Sequence, residues 1–269
     1  MKYELKQLQI VQLELLDELM RVCEQNNITF YLAAGSCIGA VRHQGFIPWD
    51  DDIDIFMYAD DVDKLFECMY QFREDFFLQS TFTDPGYRHA IARLRKNNTT
   101  CMEPDDIGTD CHHGIFLDIY ILYYYPKNKF ERIIMVQRGI RHNILLSNRP
   151  PLNHGPIIKF LGKLILLPYR NEIRRLSKIN HLKNKIRKYH DTEDLVILYG
   201  MDISLKGIIS YKAEWFKSPK YLIFENRRVP VATNADAYLR CRYGDDYMVL
   251  PPENKRHSYH KYQTISFTK

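Results

Sequence analysis

No apolar run in this chain reaches the length of a membrane-spanning helix. The longest, PIIKFLGKLILLP at 156–168, is interrupted by Gly162 and Lys163. No CxxC pair occurs, and the six cysteines are scattered at 23, 37, 68, 101, 111 and 241. That spacing argues against a disulfide scaffold, a redox motif or a zinc ribbon. Cys111-His112-His113, with Cys101, matches no standard zinc spacing. There is no internal repeat and no low-complexity tract. The first twenty residues, MKYELKQLQIVQLELLDELM, are charged throughout and do not read as a secretory signal. The expectation is a cytoplasmic protein with reduced thiols.

What is present is ordinary globular material with an uneven charge. The 269 residues are 45% hydrophobic and 26% charged, enough for a real core. Nineteen Tyr and fourteen Phe offer aromatic surface for binding as well as packing. Net charge is +5, but residues 127–190 hold sixteen Lys and Arg against Glu131 and Glu172. That segment is +14 and the rest of the chain −9. Interleaved with apolar residues, it suits an anionic membrane surface better than nucleic acid. A solvated helix face is the bland alternative.

Apolar residues at Leu5, Leu8, Val11, Leu15, Leu19 and Val22 predict an amphipathic helix over 4–25, stopped by Asn26 and Asn27. ITFYLAA (28–34) reads as a strand entering Gly35-Ser36, with a short helix or turn from Cys37. DIDIFM (52–57) alternates as a strand, and DDVDKLFECMYQF (60–72) reads as a helix. FFLQSTF, HAIARLR and GIFLDIYILYY predict further strands. Beyond Pro126 a basic helical stretch is expected to about Tyr189, and YLIFENRRVPV reads as a hairpin.

The aspartates carry the chemistry. In GFIPWDDDIDIFM (45–57), alternation along a strand aims Asp52 and Asp54 the same way, with Cα atoms about 6–7 Å apart. Ile53 and Ile55 then face a core. Two carboxylates aimed together repel unless a cation lies between them, and a hard divalent ion with oxygen ligands fits. Asp118, in FLDIY, is a third acid embedded in an apolar strand, a costly place for a lone carboxylate. A solvated acidic loop or a helix-cap cluster accounts for Asp50, Asp51, Asp60, Asp61 and Asp63, but poorly for these three. Gly35-Ser36, between strand and helix, offers backbone N–H groups to an anion. Ser36 as a plain N-cap is the alternative.

Gly-Ser after a strand, then DxD, then an acid on a later strand resembles the nucleotidyltransferase fold superfamily. GSCIGAVRHQGFIPWDDDIDIFM narrows the likeness to the LicD family, relatives of fukutin. ARLRKNNTT (92–100), GIFLDIY (114–120) and YGDDYMVLPPENKR (243–256) continue it.

The resemblance implies an α+β fold, a nucleotidyltransferase-like mixed sheet flanked by helices. It implies a catalytic core at 1–125, a basic helical segment at 126–219, and a region at 220–269 that completes the same site. It also implies transfer of phosphocholine, or a similar phospho-alcohol, from a CDP-alcohol such as CDP-choline to a sugar hydroxyl. The acceptor would be a glycan or its lipid-linked precursor. Asp52, Asp54 and Asp118 would be catalytic and hold Mg²⁺. Gly35, Ser36, Arg42, Arg93, Arg95, Lys255, Arg256 and His260 would contact substrate. Trp49, Tyr120, Tyr243 and Tyr247 are candidate walls for a choline group. The rival readings are a metal-dependent glycosyltransferase, disfavoured because DxD follows only one helix and one strand, and a non-catalytic membrane-associated adaptor. No nucleic-acid partner is expected.

Overall fold

The stripe of Leu8, Val11, Leu15, Leu19 and Val22 is buried along one face of helix α1 (Lys2–Gln25) in the computed structural model. The structure describes residues 2–150, 155–189, 194–198, 209–258 and 260–268. Residues 151–154 and 190 of the basic stretch lie outside the described residues. α1 ends where Asn27 turns left-handed at φ 53°, a conformation asparagine tolerates. Its Gln12 side chain donates to the Phe116 carbonyl at 2.7 Å, fixing the helix to the sheet.

β1 (Phe30–Leu32) leads into α2 (Ala34–Arg42), then β2 (Asp54–Tyr58) and α3 (Ala59–Glu67). β3 (Phe76–Gln79), β4 (Ala92–Lys96), β5 (Thr100–Met102) and β6 (Phe116–Tyr125) follow. The main sheet runs β1-β2-β6-β4-β3. β1 is antiparallel to β2, and β4 is antiparallel to both β3 and β6. This is the α+β, nucleotidyltransferase-like arrangement expected. Two boundaries differ from expectation. α2 starts at Ala34, so Gly35 and Ser36 belong to its first turn rather than to a turn before Cys37. β2 starts at Asp54, so Asp52 lies in the segment ahead of the strand, and simple alternation does not set its direction.

The chain clusters into two compact units. One comprises Met1–Tyr87, Ile91–Ile121 and Glu214–Lys269, the other Arg88–Ala90 and Leu122–Ala213. In the second unit, Asn128 caps α4 (Lys129–Ser147), Pro156 opens α5 (Pro156–Leu166), and Asn171 caps α6 (Glu172–Ile186). Leu145, Leu146, Ile179 and Leu182 form its helical core. β7 (Leu195–Leu198) pairs with the end of β6 and with β8 (Ser210–Lys212).

The first unit resumes with the hairpin β9 (Pro219–Phe224) and β10 (Arg227–Ala232). Its turn residues Glu225 and Asn226 both have positive φ, 48° and 62°, as a two-residue turn matched to strand twist requires. α7 (Ala235–Tyr243) follows, capped by Asn234. Tyr31, Phe56, Phe216 and Tyr238 meet edge to face and tie these late elements to the early strands. Finally β11 (Thr264–Ser266) pairs with β5, and Ser258 and His260 ahead of it reach back to Asp51.

Candidate active site

The site is built where β2 and β6 lie side by side. The Asp118 N–H donates to the Ile53 carbonyl at 3.1 Å, which brings Asp118 against the Asp52–Asp54 stretch. Asp54 is buried and anchored through its backbone: its N–H donates to Ser36 Oγ at 2.9 Å, and its carbonyl accepts from Ala33 N at 2.9 Å. Ser36 therefore neither caps its helix nor reaches outward; its oxygen positions Asp54. One Asp54 oxygen, Oδ1, is buried without a hydrogen-bond partner among the described residues. Burial, then Asp52, Asp118 and Asp50, raises the Asp54 carboxyl well above the ordinary carboxylate range. Burial raises Asp52 to about 6, with His260 opposing and Asp51 and Asp118 adding.

Asp50 and Asp51 are not the solvated loop expected of them. Asp51 is only 4% exposed; it accepts from His260 Nδ1 at 3.0 Å and from the Ser258 hydroxyl. Asp50 is pushed up to about 8 by burial, then by Asp52 and Asp51. It sits against Gly35, where a Cβ would lie 2.8 Å from Asp50 Oδ2. The glycine leaves room for a carboxylate. Asp60 and Asp61 do lie in the first turn of α3, as a helix-start cluster should.

Asp51, Asp52 and His260 bring one ligand atom each within 4.8 Å of one another, a group able to hold a metal ion. His260 is held between the two acids, with Nε2 at 3.8 Å from Asp52 Oδ2. Burial alone would lower His260, but the Asp51 hydrogen bond and the Asp52 charge outweigh it and push the ring to about 9. Its ring stacks on Tyr262. Among the described residues, Cys101, Cys111, His112 and His113 make no such group.

The predicted arginines are engaged by the protein. Arg93, opposite Asp118 in the β4–β6 register, donates to Asp118 Oδ1 at 2.6 Å and to Glu103 Oε2 at 2.7 Å. Its guanidinium lies 3.7 Å from the Phe116 ring centre. Arg95, fully buried, donates to Gln79 and to the Gly114 carbonyl. Arg42 is half-buried; it donates to the Tyr247 carbonyl at 2.8 Å and to His43. Arg256 donates to the Pro251 carbonyl and lies over Trp49, 5.8 Å from the ring centre. Lys255 is exposed in a single 3₁₀ turn.

Sequence reasoning missed Asp50, Asp51, Glu103, Ser258 and Tyr262 as neighbours of the cluster. Asp50 and Asp51 adjoin the DxD and carried a signal, since Trp49 and Ile53 bracket them. Glu103 and Ser258 carried none, because only the tertiary fold brings them there.

Residues 27–139 match the family model described as LicD/FKTN/FKRP, nucleotidyltransferase domain. The chain is 28% identical to lipopolysaccharide cholinephosphotransferase LicD of Haemophilus influenzae, over 96% of this chain and 97% of that protein. An uncharacterized protein of Rickettsia typhi is 32% identical over 46% of this chain and 32% of its own length. Ribitol 5-phosphate transferase FKRP of Homo sapiens is 44% identical over 41 residues, 15% of this chain and 8% of that one. The matched stretch takes in the strand, the Gly-Ser, the DxD and Asp118 together, and over these residues the chain resembles the LicD family.

Proposed function

We propose that this protein transfers a phospho-alcohol, phosphocholine or a close analogue, from a CDP-alcohol to a sugar hydroxyl of a glycan or its lipid-linked precursor. The single observation that carries the reading is the convergence of buried, mutually repelling carboxylates around Asp52 and Asp54, inside the matched family domain. A relative spanning nearly the whole chain is a lipopolysaccharide cholinephosphotransferase, which supports the same reaction class.

The residues present fit a divalent cation. Asp54 Oδ1 is a buried oxygen without a partner among the described residues, and the charges of Asp52, Asp118 and Asp50 act on its carboxyl. Asp52, Asp54 and Asp118 would hold Mg²⁺, with Asp51 and His260 beside Asp52. Bound there, the ion would neutralise negative charge on the diphosphate and the departing CMP. Asp54 accepts the proton of the acceptor hydroxyl as its oxygen attacks the distal phosphorus in line. The new O–P bond forms, the P–O bond to CMP breaks, and CMP leaves with that electron pair. Asp118, tied to Arg93 through Oδ1, is held in place by that bond.

Of the candidate walls for a quaternary ammonium group, Tyr120 and Tyr243 are the two we assign. Burial raises both hydroxyls, and the charge of Asp54 acts on both. Tyr247 donates to Asp236, and Trp49 is covered by Arg256. Lys255, Arg256 and His260 close the nucleotide side.

Peripheral attachment to an anionic membrane is part of the reading. No helix among the described residues is long and apolar enough to cross one. α5, however, exposes Ile157 (75%), Phe160 (60%), Leu161 and Leu164, interleaved with Lys159 and Lys163. An apolar face rimmed by lysine suits an interfacial helix.

The test is metal-dependent CMP release from CDP-choline, CDP-glycerol and CDP-ribitol by the purified protein with a glycan acceptor. Release from at least one, abolished by chelation, is expected. No CMP from any donor overturns the proposal.

A further inference from the structure

Asp51, Asp52 and His260 stand close enough to share an ion, but their atoms are not equivalent. Both Asp51 oxygens are already used. Oδ1 accepts from His260 Nδ1 at 3.0 Å, and Oδ2 accepts from the Ser258 hydroxyl. The Ser258 oxygen in turn accepts from the His260 backbone N–H at 3.1 Å. The imidazole also stacks on Tyr262, with ring centres 5.4 Å apart and planes 19° from parallel. The position and plane of the ring are thus fixed without any use of Nε2.

Among the described residues Nε2 has no hydrogen-bond partner, and Asp52 Oδ2 lies 3.8 Å from it. That gap is too long for a hydrogen bond. It suits two atoms bound to one ion, since ligands about 2.1 Å from a common metal stand about 3–4 Å apart. A metal-binding histidine characteristically gives its other ring N–H to a carboxylate, which fixes the tautomer and the direction of the ring. Asp51 does this for His260.

We infer that His260 is a metal ligand through Nε2, joining Asp52 on a divalent cation, and that Asp51 orients the ring without touching the ion. The inference rests on the cation site proposed above and adds a nitrogen to its oxygens. The ion takes the place of a proton on Nε2, which leaves to solvent. A mixed nitrogen and oxygen set shifts preference from Mg²⁺ toward a transition-metal ion, because imidazole is the softer ligand.

The probe is Mn²⁺ alone, added to the full chain carrying no histidine tag. Electron spin echo spectra should show the nitrogen modulation of a coordinated imidazole. In His260→Gln that modulation should vanish, and the preference for Mn²⁺ over Mg²⁺ in calorimetry should fall about tenfold or more. Asp51→Asn should keep the modulation, because Nδ1 still finds an oxygen, while binding Mn²⁺ about tenfold more weakly. A wild-type Mn²⁺ spectrum free of nitrogen modulation overturns the inference, and that result needs no variant to fold. A wild-type chain that binds no Mn²⁺ overturns it too, as does modulation that survives in a folded His260→Gln. Two failures are thus distinguishable. Nitrogen-bound Mn²⁺ without CMP release from any CDP-alcohol supports the ligand and overturns the reaction; CMP release with an all-oxygen Mn²⁺ site does the opposite.

Discussion

Arg93 and Asp118 face each other across β4 and β6, Nε to Oδ1 at 2.6 Å, both side chains buried. Glu103 accepts from the far side of the same guanidinium. The charge that ties Asp118 down is itself tied down. Removing the arginine would strand a carboxylate inside the protein, which costs far more than the pair contributes. Arg93→Leu is expected to destabilise the fold by about 3–5 kcal/mol in urea unfolding. A loss within about 1 kcal/mol, the worth of an exposed pair, would show that water reaches Asp118.

Asp52→Asn and Asp54→Asn are expected to abolish transfer without unfolding the protein. Each removes one of several crowded like charges, so thermal midpoints in chelator should stay level or rise. Mg²⁺ should raise the midpoint of the wild type and do so less in either variant. Near-normal turnover by either variant in saturating Mg²⁺ would sink the metal assignment. Asp118→Asn should be equally inactive but less stable, since Arg93 loses its charged partner.

His142, buried on α4, is lowered to about 4, chiefly by burial. Its folded pKa lies below its unfolded value near 6.5, so the fold favours the neutral ring. That contribution is intact above about pH 6.5 and is lost as pH falls toward 4. At full extent it is on the order of 3 kcal/mol. The buried aspartates slope the other way, being raised, so the comparison must be between wild type and His142→Leu. Over pH 6.5 to 4 the wild type should lose stability relative to the variant. Parallel pH profiles would contradict the burial argument.

On anionic vesicles at low salt the protein should bind, and binding should fall steeply as salt rises. Each lysine near the surface contributes about 1 kcal/mol. The double charge reversal Lys159→Glu, Lys163→Glu should therefore reduce vesicle binding while leaving turnover on a soluble acceptor unchanged. A wild-type protein that ignores anionic vesicles at low salt has no interfacial helix in α5.

Much of this was legible because it is local. The stripe of α1, the strand around Asp118 and the Glu225-Asn226 hairpin follow from spacing and turn chemistry within a few residues. Sequence placed the Gly35-Ser36 pair against phosphate, whereas Ser36 accepts from Asp54 N–H and Gly35 makes room for Asp50. Arg42, six residues after Ser36, advertises charge in the sequence but not direction. Its actual acceptors are carbonyls some two hundred residues downstream. Asp51 looked solvated because nothing local says that Ser258 and His260 will reach it.

That covering strap has a temporal side. Asp51 and His260 are 209 positions apart. A ribosome adding about 5–20 residues per second needs about 10–40 s to travel from one to the other. During that interval the acidic loop lacks its imidazole. The Asp51–His260 pair is thereby deferred until synthesis has passed His260.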